Sequence, residues 1–432
     1  MKESMNNHIT RLENENKRLK VAVEELTILN DISTAISSTS SLERIMELIV
    51  QKCIKHVKTE QGAVMLLDIK EKEGAFRTMI RGADTSQEVL PFRLDTQLTG
   101  WMIKNKQPLL VNDLKKDERF QVGREECPIC SLLSVPLLLK GRMIGTLNVF
   151  NKRTEEGFNE GDKRLLMIIA TQSAQIIENA RLYEEEQALR LMQEEMRMAY
   201  QIQMDLLPKE APEISGYDIA GKSIPAKAVG GDYFDFIEID KHRLAFCLAD
   251  VVGKGMPAAL LMSNLQATLR GQVLQKLSPK ECVKRSNALL FRSTDDEKFA
   301  TLFYGILNNK KNHLDYCNAG HCYPYLFKAS EESMRLDVGG LVIGAFEEFD
   351  YSEDAVSFDP GDILLIFSDG ITEAVDQSGE QYTEERLYNV IQENRNASAE
   401  QLIENIIESV KVFTGESSQV DDMTLIVMKR GE

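Results

Sequence analysis

Residues 244–255 read Leu244-Ala245-Phe246-Cys247-Leu248-Ala249-Asp250-Val251-Val252-Gly253-Lys254-Gly255. An unbroken apolar run leads into a carboxylate, and two glycines follow closely. Such a run, bounded by turn residues, fits a strand buried on both faces. A carboxylate at its end is costly to keep near a core, so it needs cations or hydrogen-bond donors to offset desolvation. The pattern recurs. Ile363-Leu364-Leu365-Ile366-Phe367-Ser368 leads into Asp369, with Gly370 behind it. Val229-Gly230-Gly231 precedes Asp232, and Tyr233-Phe234-Asp235 follows. Asp421-Asp422 stands directly before Met423-Thr424-Leu425-Ile426-Val427. Taken singly, each is ordinary: Asp-Gly is a turn, Gly-Gly-Asp a loop, and Asp421-Asp422 an edge-strand charge. Converging at strand ends in one domain, they would form a hard-oxygen site for Mg²⁺ or Mn²⁺. Two such ions can activate a bridging water and hold phosphoryl oxygens.

Around these segments the pattern predicts strands at 243–249, 299–307, 313–318, 323–328, 362–368 and 423–428. It predicts helices at 257–275, 279–294 and 398–413, with Pro257 opening the first. Many antiparallel strands with a few helices give a β-sandwich flanked by helices. Upstream, 162–206 reads as one long helix that Pro208 ends. Leu165, Leu166, Ile169, Ile176 and Ile177 serve its first half. In its second half Leu182, Leu189 and Met196 recur every seven residues, with Met192, Ala199 and Leu206 offset by three. Residues 8–30 repeat the device, with Ile9, Asn16, Val23 and Asn30 at one heptad position and Leu12, Leu19 and Leu26 at another. Both seams fit a parallel coiled coil and hence a homodimer, against a plain amphipathic helix packed on its own domain. Between them, 31–160 alternates helices and strands. Ser41 starts a helix carrying Ile45, Leu48, Ile49 and Ile54. Gln61-Gly62 breaks to a strand at 63–67, and Lys140-Gly141 joins strands 132–139 and 142–150.

The chain has 432 residues, too many for one ordinary core. Its formal net charge of -17 argues against a nucleic-acid binder, which needs a basic face to meet phosphates. The odd set of seven cysteines, mostly in apolar runs, reads as reduced thiols. No apolar leader and no bilayer-length apolar stretch is read, so no membrane partner and a cytoplasmic location are expected.

Residues 207–428 resemble the PPM metal-dependent protein phosphatases, in their SpoIIE/RsbU-like branch. The matching segments run in family order. They are Ile202 to Pro208, Ala228 to Asp235, Ala249 to Met256, Asn318-Ala319-Gly320-His321, Pro360-Gly361-Asp362 with Ser368 to Glu373, and Asp421-Asp422-Met423-Thr424. The resemblance implies a serine/threonine phosphoprotein phosphatase with two Mn²⁺ or Mg²⁺ ions. Asp250 would bridge both, with the Val251 carbonyl beside it. Asp232 would serve one ion, and Asp369 and Asp421 the other. Asp422 stands where the wider family often has Asn, and reads as a supporting group. Attack would come from water activated by the metals, without a covalent phosphoenzyme. The branch's usual substrate is a phosphorylated anti-sigma-factor antagonist, and helices entering its phosphatase domain can act as a switch. His321 is open to two readings, general acid or structural residue at a strand turn, the second being commoner.

Residues 25–180 resemble a GAF domain, through Leu29-Asn30-Asp31, Ser134-Val135-Pro136-Leu137 and Ile144-Gly145-Thr146-Leu147. Asn151-Lys152, Phe158 and Asp162 partly match the cyclic-nucleotide GAF motif, but Lys163 stands where that motif has Glu. In GAF domains that bind no nucleotide, such a Lys–Asp pair is a structural bridge. A small-molecule ligand is therefore possible and unspecified. Cys127 and Cys130 form a lone CxxC and read as two unrelated loop thiols. Trp101 and Phe120 read as core. The expected fold class is thus α+β: an N-terminal coiled-coil helix at 1–30, a GAF-like sensor at 31–180, a helical coiled-coil linker at 181–206 and a PPM-type β-sandwich flanked by helices at 207–432. The competing reading is a non-catalytic signalling scaffold.

Overall fold

The computed structural model describes residues 41–67, 76–82, 96–117, 119, 129–294, 298–330 and 332–431, with isolated positions before them. Of the N-terminal heptad, Leu12, Asn16, Leu19 and Val23 are helical, and the three apolar ones are exposed. Ile9, Leu26 and Asn30 lie outside the described residues, as do Phe120 and Cys127. The chain divides into two compact units, Met1–Leu191 and Met192–Glu432.

The first unit is built on one antiparallel sheet. Its strands are β1 (Thr59–Leu67), β2 (Phe76–Gly82), β3 (Leu109–Val111), β4 (Leu132–Leu139) and β5 (Arg142–Lys152), in the order β2-β1-β5-β4-β3. The strand period of two sorts side chains to opposite faces. Val64, Leu66, Leu133, Val135 and Leu147 meet Ile49, Val50 and Cys53 of helix Leu42–Val57 and Leu166, Ile169 and Ala174 of helix Glu160–Leu206. On the other face Ala63, Leu132 and Phe150 pack with Met102 and Leu109, and Trp101 joins them partly buried. Ser41 caps the first helix as expected, its hydroxyl accepting from Arg44 N. One expectation fails. Gln61-Gly62 does not break the chain but lies inside β1, because a Cβ at Gly62 would sit 3.1 Å from Val50 Cγ1 of the overlying helix. Glycine there answers close packing.

Lys152 and Asp162 do pair. Nζ lies 2.7 Å from Oδ1 and also donates to the Val57 carbonyl, with both side chains largely buried. The bridge pins the start of helix Glu160–Leu206 to the sheet. That helix is continuous over 47 residues. Its seam residues Leu182, Leu189 and Met192 are exposed, as are Leu191, Met198 and Ile202.

The second unit is a sandwich. One sheet comprises β7 (Tyr233–Asp240), β8 (Arg243–Val251), β9 (Ala300–Asn308), β10 (His313–Ala319) and β13 (Gly339–Gly340), with β14 (Asp354–Ser357) also on β10. The other runs β12 (Ser333–Arg335), β11 (Tyr325–Phe327), β15 (Ile363–Phe367), β16 (Met423–Arg430) and β6 (Tyr217–Ile224). Leu364, Ile366, Ile426 and Met428 point between the sheets toward Phe246 and Phe303. Their neighbours Ile363, Leu365, Phe367, Leu425 and Val427 face helices Thr383–Glu393 and Ala399–Thr414. Helices Met256–Val273 and Pro279–Ser293 cover the first sheet, packing Met262, Leu265 and Val283 on it. Inner strands covered on both sides read as continuous apolar runs, which is why β8 and β15 were legible. Edge strands β6 and β7 and helix Thr383–Glu393 were missed, since each buries only part of its surface.

Candidate active site

Each sheet contributes a pair of neighbouring strands to the same end of the sandwich. In the first, Tyr233 pairs with Ala249, which sets Asp232 beside Asp250. In the second, Phe367 pairs with Leu425. Beyond that pair Ser368 N donates to the Thr424 carbonyl at 3.0 Å, and Asp369 and Asp421 follow. Asp369 does not lie in a plain turn; it opens the short helix Asp369–Thr372.

The electrostatics express this convergence. Asp232 is almost fully buried, and burial, then repulsion from Asp250, pushes its carboxyl well above the ordinary range. Asp250 is pushed up to about 7 by burial and by Asp369, Asp421 and Asp422. Asp369 is raised by burial, then by Glu373 and Asp421. Lys254 opposes the repulsion, with Nζ 2.7 Å from Asp421 Oδ2. Asp232 Oδ2 is buried and has no hydrogen-bond partner. An orphaned buried oxygen among repelling carboxylates is what a hard divalent cation satisfies, so these residues fit one. Among the described residues no three acidic, imidazole or thiol side chains close on one point as a finished cage. Asp421 is turned toward Lys254 instead.

Asp422 does different work. Its carboxylate accepts from Ala226 N at 2.8 Å and from Gly231 N at 2.6 Å, and lies 3.4 Å from Asp232 N. It clamps the loop that carries Asp232. A Cβ at Gly230 would fall 2.3 Å from Asp422 Oδ2, so the loop needs glycine there. Asp235, in the same motif as Asp232, is not part of the cluster. It is fully buried, accepts from Tyr233 OH at 2.6 Å and pairs with Arg270 Nε at 2.7 Å.

Two contributors were not singled out in the sequence, although Gln203 lies in the matching segment Ile202 to Pro208. Gln203, near the end of helix Glu160–Leu206, is buried and makes both of its bonds to one residue. Nε2 donates to the Gly230 carbonyl at 2.7 Å, and Oε1 accepts from Gly230 N at 3.0 Å. Thr301 Oγ1 accepts from Asp250 N at 3.3 Å and meets His321 Nδ1 at 2.8 Å. His321 is buried, and that burial drives its imidazole down to about 4. It stands behind Thr301, in a supporting position.

Comparisons with known proteins bear on the family and the fold. The family model for Stage II sporulation protein E (SpoIIE) matches residues 240–431, and that for the GAF domain matches 39–178. Phosphoserine phosphatase RsbU of Bacillus subtilis (strain 168) is 32% identical over 254 residues, covering 57% of this chain and 75% of that protein. The chain belongs to the SpoIIE/RsbU-like family of PPM phosphatases. It is a protein serine/threonine phosphatase with a GAF domain. Phosphoserine phosphatase RsbP of the same organism is 24% identical over 243 residues, covering 54% of this chain and 57% of that one. Among solved structures, the SiaA-PP2C domain of Pseudomonas aeruginosa aligns with a TM-score of 0.50 at 20% identity, over 57% of this chain and 99% of that chain. That likeness bears on the fold alone. Among the described residues no helix is long and apolar enough to cross a membrane.

Proposed function

We propose that Asp232, Asp250, Asp369 and Asp421, with the Val251 backbone carbonyl, hold two divalent ions, Mn²⁺ or Mg²⁺. The orphaned Asp232 Oδ2 beside the raised Asp250 carboxyl is the observation that carries this reading. Bound ions supply an activated water and neutralise phosphoryl oxygens. The protein's own part is positional. Asp422 fixes the Asp232 loop through its backbone donors, and Thr301 holds the Asp250 backbone. The substrate is a phosphoserine or phosphothreonine protein, in keeping with the similarity to a phosphoserine phosphatase, and of the anti-sigma-factor-antagonist type that the family resemblance implies. Residues 31–180 serve as the sensor for a small-molecule ligand, 181–206 as the linker and 207–432 as the phosphatase. Two copies pair in the cytoplasm through the helices at 1–30 and 181–206, where the seam residues Leu12, Leu19, Val23, Leu182, Leu189 and Met192 are apolar and exposed.

Phosphate-ester hydrolysis by the purified full chain tests the metal scheme. Activity should require Mn²⁺ or Mg²⁺, and Asp250→Ala should lose it while keeping the wild-type circular dichroism. Hydrolysis in excess chelator, or a fully active variant, would refute it.

A further inference from the structure

We propose that Lys254 is a tethered cation that competes with the divalent ion for Asp421, so that metal loading requires its displacement. The inference rests on the two-ion reading above. Lys254 Nζ lies 2.7 Å from Asp421 Oδ2 and donates to the Val420 carbonyl at 2.9 Å. The ammonium therefore occupies one oxygen of a carboxylate assigned to metal. Its second contact, to the preceding backbone carbonyl, fixes where the charge sits.

Lys254 is not a stray surface lysine. Its positive charge lowers the proton affinity of both Asp250 and Asp369, so its field reaches across the cluster. It is mounted between Gly253 at φ 100° and Gly255 at φ 76°. Both conformations are ones that L side chains rarely adopt, and a Cβ at Gly253 would meet nothing within 4 Å. The side chain remains partly open to solvent, at 42% exposure. A flexible four-carbon arm on a two-glycine mount can leave Asp421 without disturbing β8 or helix Met256–Val273.

The direction of the effect follows from charge. Without metal, Lys254 offsets repulsion among Asp250, Asp369 and Asp421 and so stabilises the protein. With metal, the same charge repels the ion. Screened electrostatics near a protein surface make this worth about three- to tenfold in metal affinity at low ionic strength. Lysine thus sets a threshold: metal-free protein is protected, and metal binds more weakly than the carboxylates alone would allow.

The test uses the full chain, stripped of metal, with Mn²⁺ as the probe. Calorimetric titration of wild type, Lys254→Met and Lys254→Arg is paired with thermal melts with and without Mn²⁺. Lys254→Met should bind Mn²⁺ about three- to tenfold more tightly and melt lower without metal, with a larger rise on adding it. Lys254→Arg should stay near wild type. In an Asp421→Asn background the affinity gain from Lys254→Met should vanish. Unchanged or weaker Mn²⁺ binding by Lys254→Met overturns the proposal. So does a raised KM for phosphoprotein at unchanged metal affinity, which would make Lys254 a substrate contact. A wild-type chain that takes up no Mn²⁺ overturns the metal reading beneath it instead.

Discussion

Gln203→Ala removes both partners of one backbone residue. Gly230 N and Gly230 O each bond the Gln203 amide, and Gln203 is only 5% exposed. Water therefore has little access to replace it. Each buried backbone group left unpaired costs about 1–3 kcal/mol, so the pair is worth roughly 2–6 kcal/mol. The protein can absorb that in two ways. If the Gly230 loop stays in place, the loss falls on global stability. If the loop loosens, the fold keeps most of its stability but Asp232, two residues on, loses its fixed position. We expect the second in a limited form: Asp422 still holds Ala226 and Gly231, which preserves the fold and leaves Gly230 and the neighbouring Asp232 loosened rather than released. Metal binding must then re-order the loop, and about 2 kcal/mol corresponds to roughly a 30-fold rise in half-saturating metal. Mn²⁺ titration of phosphate-ester hydrolysis, with a parallel thermal melt, separates the cases. Gln203→Glu keeps the acceptor for Gly230 N and loses the donor to Gly230 O, so it should fall between. A Gln203→Ala protein with wild-type metal dependence and wild-type melting would refute the reasoning.

Arg270→Ala strands the fully buried Asp235 with Tyr233 as its remaining side-chain partner. It should cost about 3–5 kcal/mol in urea unfolding, and a loss under 1 kcal/mol would count against the pairing. His321 gives a pH signature. Its imidazole sits at about 4 in the fold against an ordinary 6.5, so the unfolded chain binds the extra proton first. Stability from this group is intact above pH 6.5 and falls by about 3 kcal/mol as pH drops toward 4. His321→Gln should flatten that part of the wild-type curve, and an identical pH dependence in both proteins would refute a buried neutral imidazole. Finally, sedimentation should find the full chain dimeric and a chain starting at Lys209 monomeric; a full-length monomer at micromolar concentration would remove the coiled-coil pairing.

Asp250, Asp369 and Asp421 were legible because each ends or precedes a strand whose apolar run is visible in the sequence, whereas Asp232 was marked by Gly230-Gly231 beside it. Burial on both faces writes that run into β8 and β15. What separates Asp232 from Asp235 came from the resemblance and was not legible in the residues themselves. Both belong to Gly230-Gly231-Asp232-Tyr233-Phe234-Asp235, yet one faces the cluster and the other faces Arg270, 35 residues away. Partner choice across such a distance is set by packing of helix Met256–Val273 on β7, which leaves no local mark. Gln203 is a harder case. It lies in the matching segment Ile202 to Pro208, but a glutamine in a helix with charged and apolar neighbours carries no mark of burial, and the fold shows that it turns inward. Gly62 misled for the reverse reason: it read as a breaker, although the helix crossing above it demands a missing side chain.

The loop carrying Asp232 has two anchors of different kinds. Asp422 ties it to the start of β16 with a charged clamp on Ala226, Gly231 and Asp232, and this anchor belongs to the sandwich itself. Gln203 ties Gly230 to a helix that begins at Glu160. A charged acceptor serving several backbone donors is the stronger contact, and a neutral amide pair the weaker. Force arriving along the helix would therefore release Gly230 well before it disturbed Asp422. The result would be an active site whose fold is preserved while the carboxylate most in need of a cation shifts its position. A helix that carries such a bond at one end need not transmit a large motion. A shift of less than 1 Å takes the 2.7 Å bond out of hydrogen-bonding range. Control through this contact then depends on how firmly the helix is held near Gln203.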